Sequence, residues 1–251
     1  MDLGLKGKVA LVTGGSMGIG GATAVLLAQE GAQVVISARR EKELTDAVNL
    51  IHDKTGAKAM AVSADCTQDQ DVKELVRKVV DQHGRIDILV NSIGTARAGH
   101  FLELTESDWQ QSLALKLMGQ IRVAREVFPH MAKQRWGRIV NVIGTHAWLA
   151  EANAMPAGVA NAGLLNFTRA LAELGGPQGI LVNGVNPGTV NTARLEYLMN
   201  KGVEYDLDTI TLHRFAEPVE IANAIVFLAS ERASYICGSI LNVDGGQLKC
   251  I

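Results

Sequence analysis

The chain has 251 residues, 47% hydrophobic and 20% charged, with a formal net charge of −2. That length suits one large α/β domain, and the near-neutral balance gives no electrostatic ground for a nucleic-acid or anionic-membrane partner. No apolar run approaches the roughly twenty residues of a membrane span, and the N-terminal stretch has no long apolar signal region, so a cytoplasmic protein is expected. Cys66, Cys237 and Cys250 are odd in number and widely spaced. They read as reduced thiols, mostly core filler, and neither they nor the histidines have metal-ligand spacing.

A short apolar run at residues 9–12, rich in β-branched side chains, predicts a buried strand. A glycine-dense turn reaches Gly20, and residues 21–30 predict a helix closed by Gly31. Residues 33–37 form a second predicted strand, ending in Ala38-Arg39-Arg40 and followed by a polar helix over 41–53. A third strand at 58–63 runs into Asp65-Cys66, and a third helix covers 71–84. The fourth strand, from residue 86, ends at Asn91 and a second glycine turn at Gly94, before one long amphipathic helix over 106–133. A fifth strand at 137–143 leads through a loop with Thr145, His146 and Trp148 to a helix over 156–174. A sixth strand at 180–185 precedes an irregular segment carrying Pro187, Thr192 and Tyr197. A helix at 218–230 and a strand at 239–243 close the chain. Strands alternating with helices predict a single-domain α/β protein over residues 1–251: a Rossmann-like, doubly wound parallel sheet with helices on both faces.

Strand, glycine turn and helix together make a phosphate cradle at Gly14, Ser16, Gly18, Ile19 and Gly20. Gly14 permits a tight turn, Gly18 lets backbone approach a pyrophosphate, and Gly20 lets the helix sit close on the strand. The free N–H groups and positive dipole end of the helix then face the anion. A site selective for NAD would place an acid at the end of the second strand, where Ala38 stands instead. Arg39 and Arg40 follow, with charge and bidentate geometry suited to a 2′-phosphate. The expectation is NADP(H), or an inherited site left empty.

Thr13-Gly14-Gly15-Ser16-Met17-Gly18-Ile19-Gly20 resembles the cofactor motif of the short-chain dehydrogenase/reductase (SDR) family. Asn91-Ser92-Ile93-Gly94, Asn186-Pro187-Gly188 and Val243-Asp244-Gly245-Gly246 resemble further landmarks of that family, and the likeness spans essentially the whole chain. It implies an NAD(P)-binding fold, usually tetrameric through the two long helices after strands four and five. It also implies that Asp65 meets the adenine amino group, that Thr192 meets the nicotinamide amide, and that Asn91, Gly94, Pro187 and Gly188 line the cofactor.

The family's chemistry uses a Tyr as proton donor, a Lys one turn later that lowers its pKa, a Ser that holds the substrate oxygen and an Asn that supports a proton relay. Asn186-Pro187-Gly188 and residues 166–171 set the register, with Trp109 doing so for the fourth helix. In that register Ala157 stands at the Tyr position, Asn161 at the Lys, Gly144 at the Ser and Lys116 at the Asn. No tyrosine precedes Tyr197. Thr145 and His146 are the candidate substitutes. Lys116 and Asn161 exchange the family's two residue types and are expected to keep an ammonium–amide contact between the helices.

From these four departures the expected function is a catalytically impaired pseudoenzyme: the non-catalytic subunit of a hetero-oligomer, tetrameric with a homologous SDR subunit, in a hydroxyacyl-type NAD(P)-dependent dehydrogenase. Two alternatives stand beside it. One is an active NADP(H)-dependent oxidoreductase with His146 or Lys116 as acid, and the other a non-redox enzyme on the same scaffold.

Overall fold

Seven parallel strands form one sheet in the order β3-β2-β1-β4-β5-β6-β7. They are β1 Val9–Thr13, β2 Gln33–Ala38, β3 Met60–Ser63, β4 Ile88–Asn91, β5 Gly137–Val142, β6 Ile180–Pro187 and β7 Ile240–Val243. The structure is a computed structural model that describes residues 2–249, so Cys250 lies outside the described residues. The helices are α1 Gly18–Gln29, α2 Glu41–Thr55, α3 Asp69–His83, α4 Glu106–Lys116, α5 Met118–Gln134, α6 Met155–Gly175, α7 Ala193–Asn200 and α8 Pro218–Leu228.

Because successive strand residues point to opposite faces, each central strand feeds two cores. Ala10 and Val12 of β1 pack with Ala24 and Leu27 of α1, Leu44 of α2 and Ile221 of α8. Val9 and Leu11 pack with Leu75 of α3, Val123 and Val127 of α5 and Ala172 of α6. The strand order reverses between β1 and β4, which opens a crevice beyond their carboxyl ends where such sheets take ligands. No helix among the described residues is long and apolar enough to cross a membrane.

Four details differ from the sequence expectation. Helix α1 starts at Gly18 rather than residue 21, directly after an extended Met17, so its first N–H groups lie inside the glycine turn. The expected single helix over 106–133 divides at Leu117, where the Arg122 guanidinium donates to the Ala114 carbonyl at 3.1 Å. The segment after β6 holds a helix, α7, whose start is capped by the Thr192 hydroxyl. Cys66 is buried as expected, whereas Cys237 is exposed and fills no core.

Candidate active site at the carboxyl edge of the sheet

All strands run the same way, so the residues that follow them gather along one edge. The register sets Thr13 beside Asn91 and Asn91 beside Asn141. Their side chains form a buried ladder. Thr13 Oγ1 donates to Asn91 Oδ1 at 3.2 Å, Asn91 Nδ2 to Asn141 Oδ1 at 3.1 Å, and Asn141 Nδ2 to Thr168 Oγ1 at 2.9 Å. Buried amides are as a rule paired in this way. The ladder thus ties three strands and α6 together, and the Asn91 side chain is consumed by the scaffold.

Above this floor the glycine turn closes tightly, since a β-carbon at Gly20 would collide with the Gly14 carbonyl. The start of α1 has no side-chain cap and no acidic residue in its first turn. By contrast, α4 and α8 each begin with a capping box. The uncapped turn around Ser16, Gly18 and Ile19 leaves its N–H groups free for an anion. Of the two arginines after β2, Arg40 is paired with Glu43 at 2.7 Å, while Arg39 makes no ion pair among the described residues. The carboxylate three residues along the chain takes Arg40. Asp65 is partly exposed beyond β3, with Oδ1 accepting from the Thr67 N–H at 2.9 Å.

Lys116, Gly144, Ala157 and Asn161 lie past the ends of β4 and β5. Lys116, at the end of α4, lays its stem over Gly94 and donates from Nζ to the carbonyls of Val142 at 3.0 Å and Ile143 at 2.7 Å. Burial draws its pKa down to about 8. The expected contact with Asn161 does not form, because the two strand-end carbonyls take the ammonium instead. Asn161 on α6 is only 4% exposed, and its Oδ1 has no partner. Its amide lies over Gly144, whose φ of +147° few other residues could adopt, and where a β-carbon would stand 2.8 Å from Asn161 Nδ2. The Gly144 N–H is held from beneath by Asn186 Oδ1 at 3.1 Å.

Thr145 follows in a short 3₁₀ turn, buried, with a hydroxyl that makes no hydrogen bond among the described residues. The His146 ring is turned onto the exposed Glu151, Nε2 to Oε2 at 3.1 Å. Ala157 begins α6 and carries no proton-handling group. Pro187 and Gly188 end β6, where the Gly188 N–H donates to Val243 at 3.2 Å. The Thr192 hydroxyl is engaged by Leu195 and Val190 of its own turn. No cluster of metal-ligating side chains occurs among the described residues.

Sequence reasoning missed Gln120. It lies one turn after Lys116 and donates to the carbonyls of Ile93 at 3.0 Å and Val142 at 3.3 Å, bracing the same strand ends. Its spacing of four from Lys116 was the available signal. A groove of about 460 Å³ between α1, α2 and α8 meets the glycine turn at Met17 and Gly18 but is lined by none of the convergent polar residues.

Residues 14–247 match the enoyl-(acyl carrier protein) reductase family. The chain is 35% identical to the 3-oxoacyl-(acyl-carrier-protein) reductase FabG of Aquifex aeolicus over 98% of its own length and 100% of the relative's. It is 36% identical to BbsD of Thauera aromatica, a subunit of a hydroxy(phenyl)methyl-succinyl-CoA dehydrogenase, over 98% of both chains. L-sorbose reductase of Gluconobacter frateurii, solved with NADPH and L-sorbose, superposes with a TM-score of 0.94 at 34% identity over the full length of both chains. These full-length likenesses to named reductases overturn the expectation of a catalytically impaired subunit. That expectation weighed four positions by residue type alone. The folded site gathers an ammonium whose pKa burial draws down to about 8, and an unengaged hydroxyl, beside the same strand ends. With its parallel sheet, its glycine turn and relatives matched along its whole length, the chain belongs to the short-chain dehydrogenase/reductase family.

Proposed function

We propose that this protein is an NADP(H)-dependent oxidoreductase acting on a carbonyl or hydroxyl group, with a 3-oxoacyl thioester as the favoured substrate class. Lys116 handles the proton and Thr145 holds the reacting oxygen. The observation that carries this reading is the Lys116 ammonium, buried at the end of β5 with a pKa of about 8.

The residues present suit the cofactor. The uncapped start of α1 offers N–H donors to a diphosphate, and Arg39, free of carboxylates, offers its guanidinium to a 2′-phosphate. When bound, a nicotinamide supplies or accepts the hydride. The protein's part is proton transfer and orientation. Lys116 commits two N–H groups to carbonyls and keeps a third, and near pH 8 Nζ can give or take that proton at little cost. The Thr145 hydroxyl can donate to a carbonyl oxygen as charge develops there. His146 serves less well, because its Nε2 is occupied by Glu151.

An assembly with another SDR subunit fits the apolar side chains exposed along α5 and α6, Met118, Val159 and Leu174. A cytoplasmic setting is favoured by the unpaired Cys66 and Cys237.

The test is NADPH oxidation by the purified chain with acetoacetyl-CoA. Turnover should fall as pH rises above about 8, as Lys116 loses its proton. Lys116→Met should lower kcat by about 10²–10⁴-fold, and His146→Gln by much less. Absence of turnover with either nicotinamide cofactor, on thioesters and simple ketones alike, would refute the reading.

A further inference from the structure

Helix α1 lacks the polar face that a helix lying on a sheet normally turns to water. Between Gly18 and Gln29 it carries no charge, and its polar side chains are Gln29 and Thr23 alone. Thr23 is buried and donates to the Ile19 carbonyl at 2.7 Å. The neighbouring α2, by contrast, exposes an ion pair between Lys42 and Asp46.

The flank of α1 toward α2 and the start of α8 is left open. Gly21, Ala22, Val25 and Leu26 line it at helical spacing, opposite Ala47 and Ile51 of α2. Gly21, Ala22 and Ala47 are small, so the helices meet at the floor without filling the space above. Met17, Leu50 and Val219 stand along it, each nearly half exposed. The groove so formed holds about 460 Å³, within the range of small-molecule sites.

Shape and charge select its occupant. The lining runs from Met17 at the glycine turn to Gln29, the length of α1, which is about 18 Å for twelve residues. Over that length the volume leaves a cross-section of roughly 25 Å², enough for one extended hydrocarbon chain and far less than an α-helix roughly 10 Å across requires. At the far end the groove is lined by Gln29 and Lys54, from the last turns of α1 and α2. Lys54 makes no ion pair among the described residues, and no carboxylate lines the groove.

We propose that this groove binds a linear long-chain carboxylate, its hydrocarbon along α1 and its head on the Lys54 ammonium. Only Ser16, Gly18 and the adjoining Met17 are shared with the phosphate turn, and the site stands independently of the oxidoreductase reading.

Calorimetry on the full chain with dodecanoate, kept below its micelle-forming concentration, tests this. Wild type should bind one equivalent, and hexanoate should bind about 50-fold or more weakly, because six fewer methylenes leave water. Leu50→Glu sets a charge against the hydrocarbon and should weaken dodecanoate by about 10-fold or more. Lys54→Glu should weaken it by about 3- to 10-fold, as for reversing one member of an exposed ion pair, and Lys54→Arg should leave it nearly unchanged. Both positions are exposed, so thermal melting should stay at the wild-type value. Dodecanoate binding that survives both glutamate variants would place the chain elsewhere, the crevice included, and overturn the proposal. No binding by wild type, or equal affinity for hexanoate, would do the same. Sedimentation tests the competing occupant: an assembly that Leu50→Glu dissociates without any carboxylate present would give the groove to a second copy of the chain and overturn the proposal as well.

Discussion

Replacing Lys116 by methionine should change how the fold responds to pH. Folding moves the ammonium out of water to the end of β5, where two carbonyls offset only part of the lost hydration, and its pKa falls from 10.5 to about 8. Between those values the unfolded chain binds more protons than the folded one, so stability contributed by this site rises with pH across the window. Below pH 8 both states carry the charge and the burial cost is paid in full. Above 10.5 both are neutral and the cost is gone. A pKa change of one is worth about 1.4 kcal/mol, so the whole displacement is worth at most about 3.5 kcal/mol. Lys116→Met keeps the stem and removes the charge. It leaves the Ile143 carbonyl without this donor at a cost of about 1–2 kcal/mol, while Val142 keeps Gln120. The variant should therefore match or exceed wild type at pH 7 and fall below it by pH 10.5. Urea denaturation followed by far-UV circular dichroism across that range gives the difference directly, and alkaline effects elsewhere cancel in it. Parallel stability curves would show that the Lys116 ammonium is not held in a poorly solvated site.

Arg39→Ala should weaken NADPH binding by about 10-fold or more, as expected for a lost charge-assisted hydrogen bond, and leave NADH nearly unchanged; equal losses for the two cofactors in calorimetry would refute the 2′-phosphate role. Gly144→Ala should destabilise the protein by about 1–3 kcal/mol through its φ of +147°, beyond any crowding of Asn161, and an unchanged denaturation midpoint would contradict the local geometry.

The strands were legible because each is a short apolar run bounded by a turn, and the parallel order follows from their alternation with helices. The break at Leu117 was not, because Leu117 is neither proline nor glycine and the neighbouring contacts come from Arg122 and β5, distant in sequence or on another element. Helix α7 is eight residues long, too short for periodicity to separate it from a loop with scattered apolar residues. At the site, the sequence pointed to Lys116, Gly144, Ala157 and Asn161, which lie at the ends of α4 and β5 and on α6. It could not say which way the long side chains run. Lys116 passes over Gly94 to the β5 carbonyls rather than to Asn161, a choice made by three-dimensional neighbours alone.

The same gap explains why the expectation of an impaired subunit failed. Proton handling asks for a group with a pKa near the working pH, held near the reacting oxygen, and a residue's identity does not fix its pKa. A solvated lysine, near 10.5, would be a poor acid at neutrality. In the proposed role, Lys116 at the end of α4 is the better acid, because burial against strand carbonyls that supply no counter-charge lowers its pKa to about 8. A carboxylate in that place would have drawn the pKa back up. On the proposed function, the proton then comes from the α4 wall of the crevice, where the Lys116 ammonium meets the Ile143 carbonyl at 2.7 Å.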